Sequence, residues 1–228
     1  MQRIGDSLRG KHVLITQCED FMGPALVSAF TAHGARVISD ARNLAAPESS
    51  EELIAGAGEV DVLIVNLAIR NPRNPFEDVT PAEWREVFAH LVDPLPRLFG
   101  AVLPQMIARG HGKIVVMGSA SALRGMNNAS TYSAARGAQV SYVRAIGTEV
   151  ASRNVQVNLI AQNFVDNETY FPPDLQATDG FKQRLQREVP VQRLATPEED
   201  ALFAIFLASS EVNFFAGQSI PFAGGWVT

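Results

Sequence analysis

Short apolar runs rich in β-branched residues alternate along the chain with longer segments of helical periodicity. The short runs predict six strands, at 12–16, 36–40, 61–66, 113–119, 155–161 and 219–222. The periodic segments predict helices, notably at 22–34, 81–108, 130–152 and 197–209. Because the strands are continuously apolar rather than alternating, we expect them to be buried on both faces, as in a parallel sheet covered by helices.

Repeated strand–helix–strand crossovers predict one α/β domain over residues 1–228, built on a doubly wound parallel sheet. Ligands of such sheets bind beyond the carboxyl ends of the strands. Residues 162–196 interrupt the alternation with a polar, proline-containing excursion after a strand end. That placement suits a lid over the substrate.

Composition and charge narrow the classes of partner. A net charge of -5 argues against nucleic acid or an anionic membrane surface. No apolar run approaches about 18 residues and no leader-like apolar region begins the chain, so neither a membrane span nor a signal peptide is expected. The single cysteine, Cys18, cannot form a disulfide within the chain and suits the cytoplasm. The four histidines show no metal-ligand spacing, so no metal is expected.

The stretch 15-ITQCEDFMG-23 lies where a nucleotide-phosphate loop would be, between an apolar strand and a helix. Such loops are rich in glycine, because a Cβ would keep the backbone away from a pyrophosphate. This loop instead contains Gln17, Glu19, Asp20 and Phe21. The segment therefore lies where a dinucleotide-binding loop is expected, but it lacks the glycines of such a loop.

Five landmarks resemble the short-chain dehydrogenase/reductase superfamily over nearly the whole chain. They are Thr16…Gly23, 65-VNLA-68, a Ser and a Tyr 13 positions apart, 157-VNLIA-161 and 217-GQSIPFAGG-225. The resemblance implies a Rossmann-like fold. In the cofactor-using members the first turn reads T-G-x-x-x-G-x-G, so Gln17 and Phe21 replace two glycines here. We therefore expect no nicotinamide cofactor.

Other departures from those reductases agree with this expectation. The Pro-Gly that usually lies beside the nicotinamide corresponds to Gln162-Asn163, and the Asn of the reductase proton relay aligns near Leu91. Asp40 keeps the place of a ribose-binding acid. We interpret it as a surface acid paired with Arg42.

The pattern Ser119-x12-Tyr132-x3-Arg136, together with Thr16-x4-Phe21-x-Gly23, resembles the halohydrin dehalogenases, a cofactor-independent branch of the superfamily. This resemblance implies closure of a vicinal haloalcohol to an epoxide, with release of halide and a proton. It also implies the reverse opening of epoxides by azide, cyanide, nitrite or halide, and a homotetramer. No electron is transferred, so the reaction needs no nicotinamide.

The roles of the three residues follow from their chemistry. Tyr132 and Arg136 lie at i and i+4, on one face of a helix. The permanent guanidinium charge favours the phenolate form of a nearby tyrosine, which suits Tyr132 as the base. Ser119 Oγ is then expected to bind and orient the substrate oxygen.

We expect the halide where the nicotinamide would otherwise lie. The turn 162-QNFVD-166 offers backbone N–H groups, and aromatic rings offer electropositive edges. The predicted halide and substrate pocket comprises Phe21, Gln162, Asn163, Phe164, Val165, Tyr170 and Phe171.

Two alternatives remain open at this point. One is an NAD(P)-dependent reductase with a divergent cofactor loop, and the other is a catalytically dead, reductase-like sensor. The preferred haloalcohol, its enantiomer and the preferred halide depend on lid geometry, which the pattern does not specify.

Overall fold

The computed structural model describes residues 3–227, and six parallel strands form its central sheet. They are β1 (His12–Thr16), β2 (Arg36–Asp40), β3 (Val62–Asn66), β4 (Gly112–Ser119), β5 (Val155–Gln162) and β6 (Ser219–Phe222). Their order across the sheet is β2-β1-β3-β4-β5-β6, so the winding reverses between β1 and β3. A crevice is expected at this switch point, beyond the carboxyl ends of the strands. The six predicted strands and the doubly wound sheet are confirmed.

Helices cover both faces of the sheet. They are α1 (Gly23–Ala32), α2 (Ser49–Ala57), α3 (Pro81–Leu91), α4 (Pro94–Arg109), α5 (Ser130–Val150), α6 (Pro173–Ala177), α7 (Asp179–Glu188) and α8 (Pro197–Ala208). One core lies between the sheet and α2 to α5, and the other lies against α1 and α8. Leu63 and Val65 of β3 enter the first core, while Val62 and Ile64 enter the second. This two-sided burial explains the continuously apolar strands.

No helix within residues 3–227 combines the length and the apolar character that crossing a membrane requires.

The single helix predicted over 81–108 is wrong, because two helices occupy that segment. Helix α3 ends at Leu91 and α4 begins at Pro94, which has no N–H to donate to the preceding turn. The amide of Leu95 donates to Val92 O at 3.0 Å. The Leu91 carbonyl, four residues before Leu95, is therefore not used by the helix.

The excursion at 162–196 has more structure than the sequence predicted. Gln162 is the last residue of β5, and the segment contains α6 and α7, which the pattern did not reveal, as it did not reveal α2. A small apolar core holds the lid to the carboxyl-terminal segment, and it includes Phe164, Phe171, Phe181 and Trp226. The lid is thus packed onto the body of the domain.

The first testable prediction concerns how closely α5 packs against the sheet. A Cβ at Gly147 would lie 2.5 Å from the Gly217 Cα and 2.8 Å from the Val157 carbonyl oxygen, which are backbone atoms that cannot turn away. We expect Gly147→Ala to lower the free energy of unfolding by about 1–3 kcal/mol, as overpacking does.

The control is Gly56→Ala, at an exposed position of α2 where an added Cβ meets no atom within 4 Å. Alanine favours helices over glycine by roughly 0.5–1 kcal/mol, so this variant should be slightly stabilised. Urea unfolding of both variants measures the difference. Midpoints that shift in the same direction would contradict the packing described here.

Candidate active site

A cavity of about 60 Å³ opens where β4 and β5 end and α5 begins. Every residue that the sequence predicted for the site, apart from Arg136, lines it: Phe21, Ser119, Tyr132, Gln162, Asn163, Phe164, Val165, Tyr170 and Phe171. Arg136 lies behind this wall. The switch from strand to helix brings Ser119 and Tyr132 to the same opening.

Arg136 is buried on the inner face of α5, one turn after Tyr132, and only 1% of its surface is exposed. Its Cζ lies 5.1 Å from the centroid of the Tyr132 ring. The guanidinium donates to the carbonyl oxygens of Leu67 at 3.1 Å and Met117 at 3.2 Å, and to Gln139 Oε1 at 3.0 Å. Three elements of the fold therefore hold the cation in place.

These acceptors are all neutral. Within residues 3–227 no carboxylate comes within ion-pair distance of Arg136. A buried charge without a counter-ion is costly, and it lowers the free energy of any anion formed beside it. The wall of the cavity is thus backed by a positive charge that no carboxylate compensates.

Sequence reasoning missed Gln139, which supports Arg136. It is fully buried, accepts a hydrogen bond from Arg136 and donates to the Leu91 carbonyl at 2.6 Å. That carbonyl is the one released by the break before Pro94. The spacing of three residues between Arg136 and Gln139, on a buried helix face, was the available signal.

Tyr170 was predicted as an aromatic wall, and its hydroxyl adds a contact that the sequence did not suggest. The hydroxyl lies 3.3 Å from the Tyr132 hydroxyl and donates to the Ile69 carbonyl at 2.6 Å. Burial, and then the neighbouring Tyr132, hold the pKa of Tyr170 well above its ordinary value, against the opposing effect of Arg136. Tyr170 therefore keeps its proton. Its ring meets Phe21 edge-on, with centroids 5.5 Å apart.

Ser119 ends β4 with its hydroxyl fixed at the cavity wall. Its Oγ accepts the Ser121 N–H at 3.2 Å and lies 2.9 Å from Ser121 Oγ. Ser121 is buried and was not predicted. It leaves Ser119 Oγ with a defined direction in which to meet a ligand oxygen.

The backbone cradle predicted at 162–166 is largely committed to the protein itself. The N–H groups of Asn163 and Asp166 donate to the carbonyls of Phe222 at 3.1 Å and Ala195 at 2.9 Å. The Phe164 N–H donates to Asn163 Oδ1 at 2.9 Å. The prediction that several backbone N–H groups of this turn bind the halide is therefore wrong, because these groups already donate to other protein atoms.

Other donors remain near the same wall. The Val165 N–H has no acceptor among the described residues, and Asn163 Nδ2 is buried without a hydrogen-bond partner. Phe164 and Phe171 line the cavity, where they were predicted, and they also pack in the lid core.

Two arginines at the cavity were not predicted, Arg73 and Arg184. Arg184, on α7, has its Cζ 5.2 Å from the centroid of the Phe164 ring and its Nε 3.1 Å from Glu188. Positive charge beside an opening attracts anions even on a protein of net negative charge. No sequence motif marked either residue.

The fold of short-chain reductases implies a nicotinamide dinucleotide, and the residues present do not fit one. Gln17, with a φ of 43°, extends its side chain across the crevice between β1 and β3, where Oε1 accepts the Ala68 N–H at 2.8 Å. Phe21, with a φ of 51°, lines the cavity beside Tyr132. The diphosphate and the nicotinamide would have to displace both side chains.

The remaining features of the cofactor loop agree with this finding. An added Cβ at Gly23 would collide with the Cys18 backbone, which explains why this glycine alone is needed. Asp40 is paired with Arg42, whose Nε lies 2.9 Å from its carboxylate. The interpretation of Asp40 as a paired acid is confirmed.

Among the described residues, the one group with metal-ligand geometry lies away from the cavity. His12, Glu59 and Asp61 place ligand atoms within 4.8 Å of one another, where β1 begins. Asp61 already accepts the His12 N–H at 3.0 Å and faces Lys11 at 3.5 Å. Histidine spacing gave no hint of this group because the sheet assembles it.

Comparison with known proteins gives the family. The family model described as enoyl-(acyl carrier protein) reductase matches residues 9–227. Dehydrogenase/reductase SDR family member 4 of Oryctolagus cuniculus is 27% identical over 220 residues, covering 95% of this chain and 84% of that protein. The 3-oxoacyl-[acyl-carrier-protein] reductase FabG of Escherichia coli (strain K12) is 27% identical over 244 residues, covering 96% of this chain and 98% of that protein.

Solved structures agree on the fold. A protein described as a dehalogenation enzyme aligns with a TM-score of 0.90 and 28% identity, covering 97% of this chain and 100% of its own. A gluconate 5-dehydrogenase from Burkholderia cenocepacia J2315, in complex with NADP and tartrate, aligns with a TM-score of 0.88 and 24% identity, covering 98% of both chains. At this identity the comparison shows a shared fold alone. The chain therefore belongs to the short-chain dehydrogenase/reductase superfamily, in the family whose model is described as enoyl-(acyl carrier protein) reductase.

Proposed function

We propose that this protein is a halohydrin dehalogenase, which closes vicinal haloalcohols to epoxides without a cofactor. The observation that carries the proposal is the buried Arg136 cation beneath Tyr132, in a cavity shared with Ser119. Gln17 and Phe21 meanwhile take up the room of a dinucleotide. The similarity to a dehalogenation enzyme supports the same reading.

The reaction needs one proton transfer and one displacement. The substrate hydroxyl donates its proton to the Tyr132 phenolate while Ser119 holds its oxygen. The oxygen electron pair forms a bond to the neighbouring carbon, and the carbon–halogen pair leaves with the halide. Tyr132 then returns the proton to solvent, so the net products are epoxide, halide and a proton.

Tyr132 must lose its proton before this step. Arg136 stabilises the resulting phenolate, because no carboxylate competes for its charge. The Tyr170 hydroxyl lies 3.3 Å away and can donate to the phenolate by turning from the Ile69 carbonyl. The high pKa of Tyr170 keeps it a donor throughout.

The cavity suits a small substrate and a monovalent anion. At about 60 Å³ the cavity is small, which favours haloalcohols of only a few carbon atoms. Asn163 Nδ2, the Val165 N–H and the edges of the cavity aromatics supply donors for the halide. Arg73, which lines the cavity, attracts the anion to the opening.

An NAD(P)-dependent reductase is the second candidate, because FabG and SDR family member 4 are named as reductases. Gln17, which spans the switch-point crevice, argues against it. A dead sensor is disfavoured because Ser119, Tyr132 and Arg136 keep a coherent arrangement.

We also propose that the protein assembles as a homotetramer. Two exposed apolar side chains support self-association, since Leu202 of α8 is 55% exposed and Phe214 is fully exposed. On the same helix as Leu202, the rings of Phe203 and Phe206 stack with centroids 6.0 Å apart. Exposed apolar patches of this kind mark protein contacts.

The central experiment measures halide release from a small vicinal bromoalcohol, with and without NADPH. We expect release at the same rate in both conditions, because no electron transfer occurs. Calorimetric titration should show no binding of NADH or NADPH up to millimolar concentration. Oxidation of NADPH with a carbonyl substrate and no release of bromide would contradict the proposal and indicate a reductase.

The second expectation concerns the base. Tyr132→Phe removes the ionisable oxygen, so the rate of halide release should fall at least roughly a hundredfold. Tyr142→Phe is the matched control, on the same helix but packed against Phe99, and it should keep wild-type activity. Both variants should unfold at similar temperatures. A Tyr132→Phe variant that retains more than a few per cent of the rate would point to another base.

The reverse reaction gives the third expectation for this site. Ring closure and ring opening share a transition state, so the cavity that releases halide must also admit an anion that attacks a bound epoxide. Tyr132 then acts as the acid. With a terminal epoxide and azide, we expect the wild type to form an azidoalcohol and Tyr132→Phe to form none above the protein-free rate. A wild type that releases halide from the bromoalcohol but forms no azidoalcohol above the protein-free rate would refute the shared site.

A further inference from the structure

A group of metal-ligating side chains lies at the edge of the sheet opposite the cavity. His12, Glu59 and Asp61 each place one ligand atom within 4.8 Å of the others. His12 is the first residue of β1, and Asp61 directly precedes β3. Ser119 and Gln162, which line the cavity, are instead the last residues of their strands. Because all six strands are parallel, the group and the cavity lie at opposite ends of the sheet.

Hydrogen bonds of the sheet fix two members of the group. The Asp61 N–H donates to the His12 carbonyl at 2.9 Å, and the Asp61 carbonyl accepts the Lys113 N–H at 3.1 Å. The His12 N–H donates to Asp61 Oδ2 at 3.0 Å, which also orients the carboxylate. Asp61 is only 8% exposed. A ligand that is already held in place loses little conformational entropy when it binds a cation.

The protein compensates the negative charge of the group only weakly. In the described part of the chain, neither His12 nor Glu59 forms an ion pair. Asp61 Oδ1 faces Lys11 Nζ at 3.5 Å and His111 Nδ1 at 3.7 Å, distances longer than those of charge-assisted hydrogen bonds. The side chains of Lys11 and His111 are also partly exposed, so solvent screens both contacts. Two neighbouring carboxylates with such loose partners favour a bound cation.

We propose that His12, Glu59 and Asp61 bind a divalent transition-metal cation, for which Zn²⁺ is the best fit. One imidazole nitrogen with two carboxylates suits zinc, whereas magnesium and calcium prefer oxygen ligands alone. Zinc accepts three protein ligands with water in the fourth position. The inference is independent of the proposed dehalogenase function.

The three side chains need only small movements to reach bonding geometry. Zinc bonds of about 2.1 Å in a tetrahedron place the ligand atoms roughly 3.4 Å apart. The separations in the structure are at most 4.8 Å, and the side chains of Glu59 and His12 can turn because the first is exposed and the second is partly exposed. A cavity of about 170 Å³ borders Asp61, and it offers an entry path and room for the water ligand.

The test is calorimetric titration of the full-length protein, free of histidine tags and dialysed against EDTA, with Zn²⁺ at pH 7.5. The wild type should bind one equivalent with a dissociation constant in the micromolar range, and Mg²⁺ should not bind at the same concentrations. Glu59→Gln and His12→Gln should each weaken zinc binding at least about tenfold, because each removes one ligand. His90→Gln removes a histidine of α3 outside the group and should keep the wild-type affinity.

Two further readouts keep the test decisive if His12→Gln folds poorly. Lys11→Gln should tighten zinc binding several-fold, because the Lys11 ammonium competes with the cation for Asp61 Oδ1. In thermal unfolding, zinc should raise the melting temperature of the wild type and raise that of Glu59→Gln much less, because only the folded chain brings the three ligands together.

Zinc binding that is as tight in Glu59→Gln and His12→Gln as in the wild type would overturn the site, because the cation would then bind elsewhere on the protein. An absence of saturable zinc binding by the wild type up to millimolar concentration would also overturn it. In a crystal soaked in zinc, the anomalous peak should lie within bonding distance of His12 and Asp61. Peaks found only at other surface residues would have the same meaning as unchanged binding in the variants.

Discussion

The burial of the Arg136 guanidinium is the constraint on which the site depends. A charge that is 1% exposed and has only neutral partners is tolerable where several dipoles converge on it. Those dipoles come from the segment after β3, from β4 and from Gln139. Gln139 is fixed in turn by the carbonyl that the break between α3 and α4 releases. A local feature of the sequence, a proline after a helix, therefore contributes to holding a cation beneath Tyr132.

An uncompensated cation also distinguishes the proposed dehalogenase from a reductase with the same fold. The short-chain fold normally brings a dinucleotide to the switch point between β1 and β3, but here Gln17 crosses that crevice and Phe21 lines the cavity. In the proposed function the positive charge serves no cofactor, and what remains beside it is a tyrosine pair and a small cavity. Such a site would suit the two anions of the proposed reaction, the tyrosine phenolate that takes the proton and the halide that leaves.

The sequence predicted most of the fold and most of the residues at the cavity. The features that it missed have a common cause. Continuously apolar runs identified the six strands because two-sided burial leaves little room for polar residues, and helical spacing put Tyr132 and Arg136 on one face. Periodicity merged α3 and α4, because it is insensitive to one local break. The contacts between Tyr132 and Tyr170 and between Gln162 and Asp200 each join residues 38 positions apart. They depend on how the lid and α8 return to the sheet, which no local pattern encodes.

Two buried ionisable side chains near the site, Arg136 and Asp200, respond differently to burial. An ionised Asp200 would be a second uncompensated buried charge, and its negative potential would oppose an anion in the cavity. Burial, which keeps Asp200 neutral at pH 7, therefore leaves the field of Arg136 to act on the reacting groups. Burial disfavours the charged form of any group, and the carboxyl of Asp200 responds by keeping its proton. A guanidinium does not give up its proton, so its charge must be met by surrounding dipoles instead.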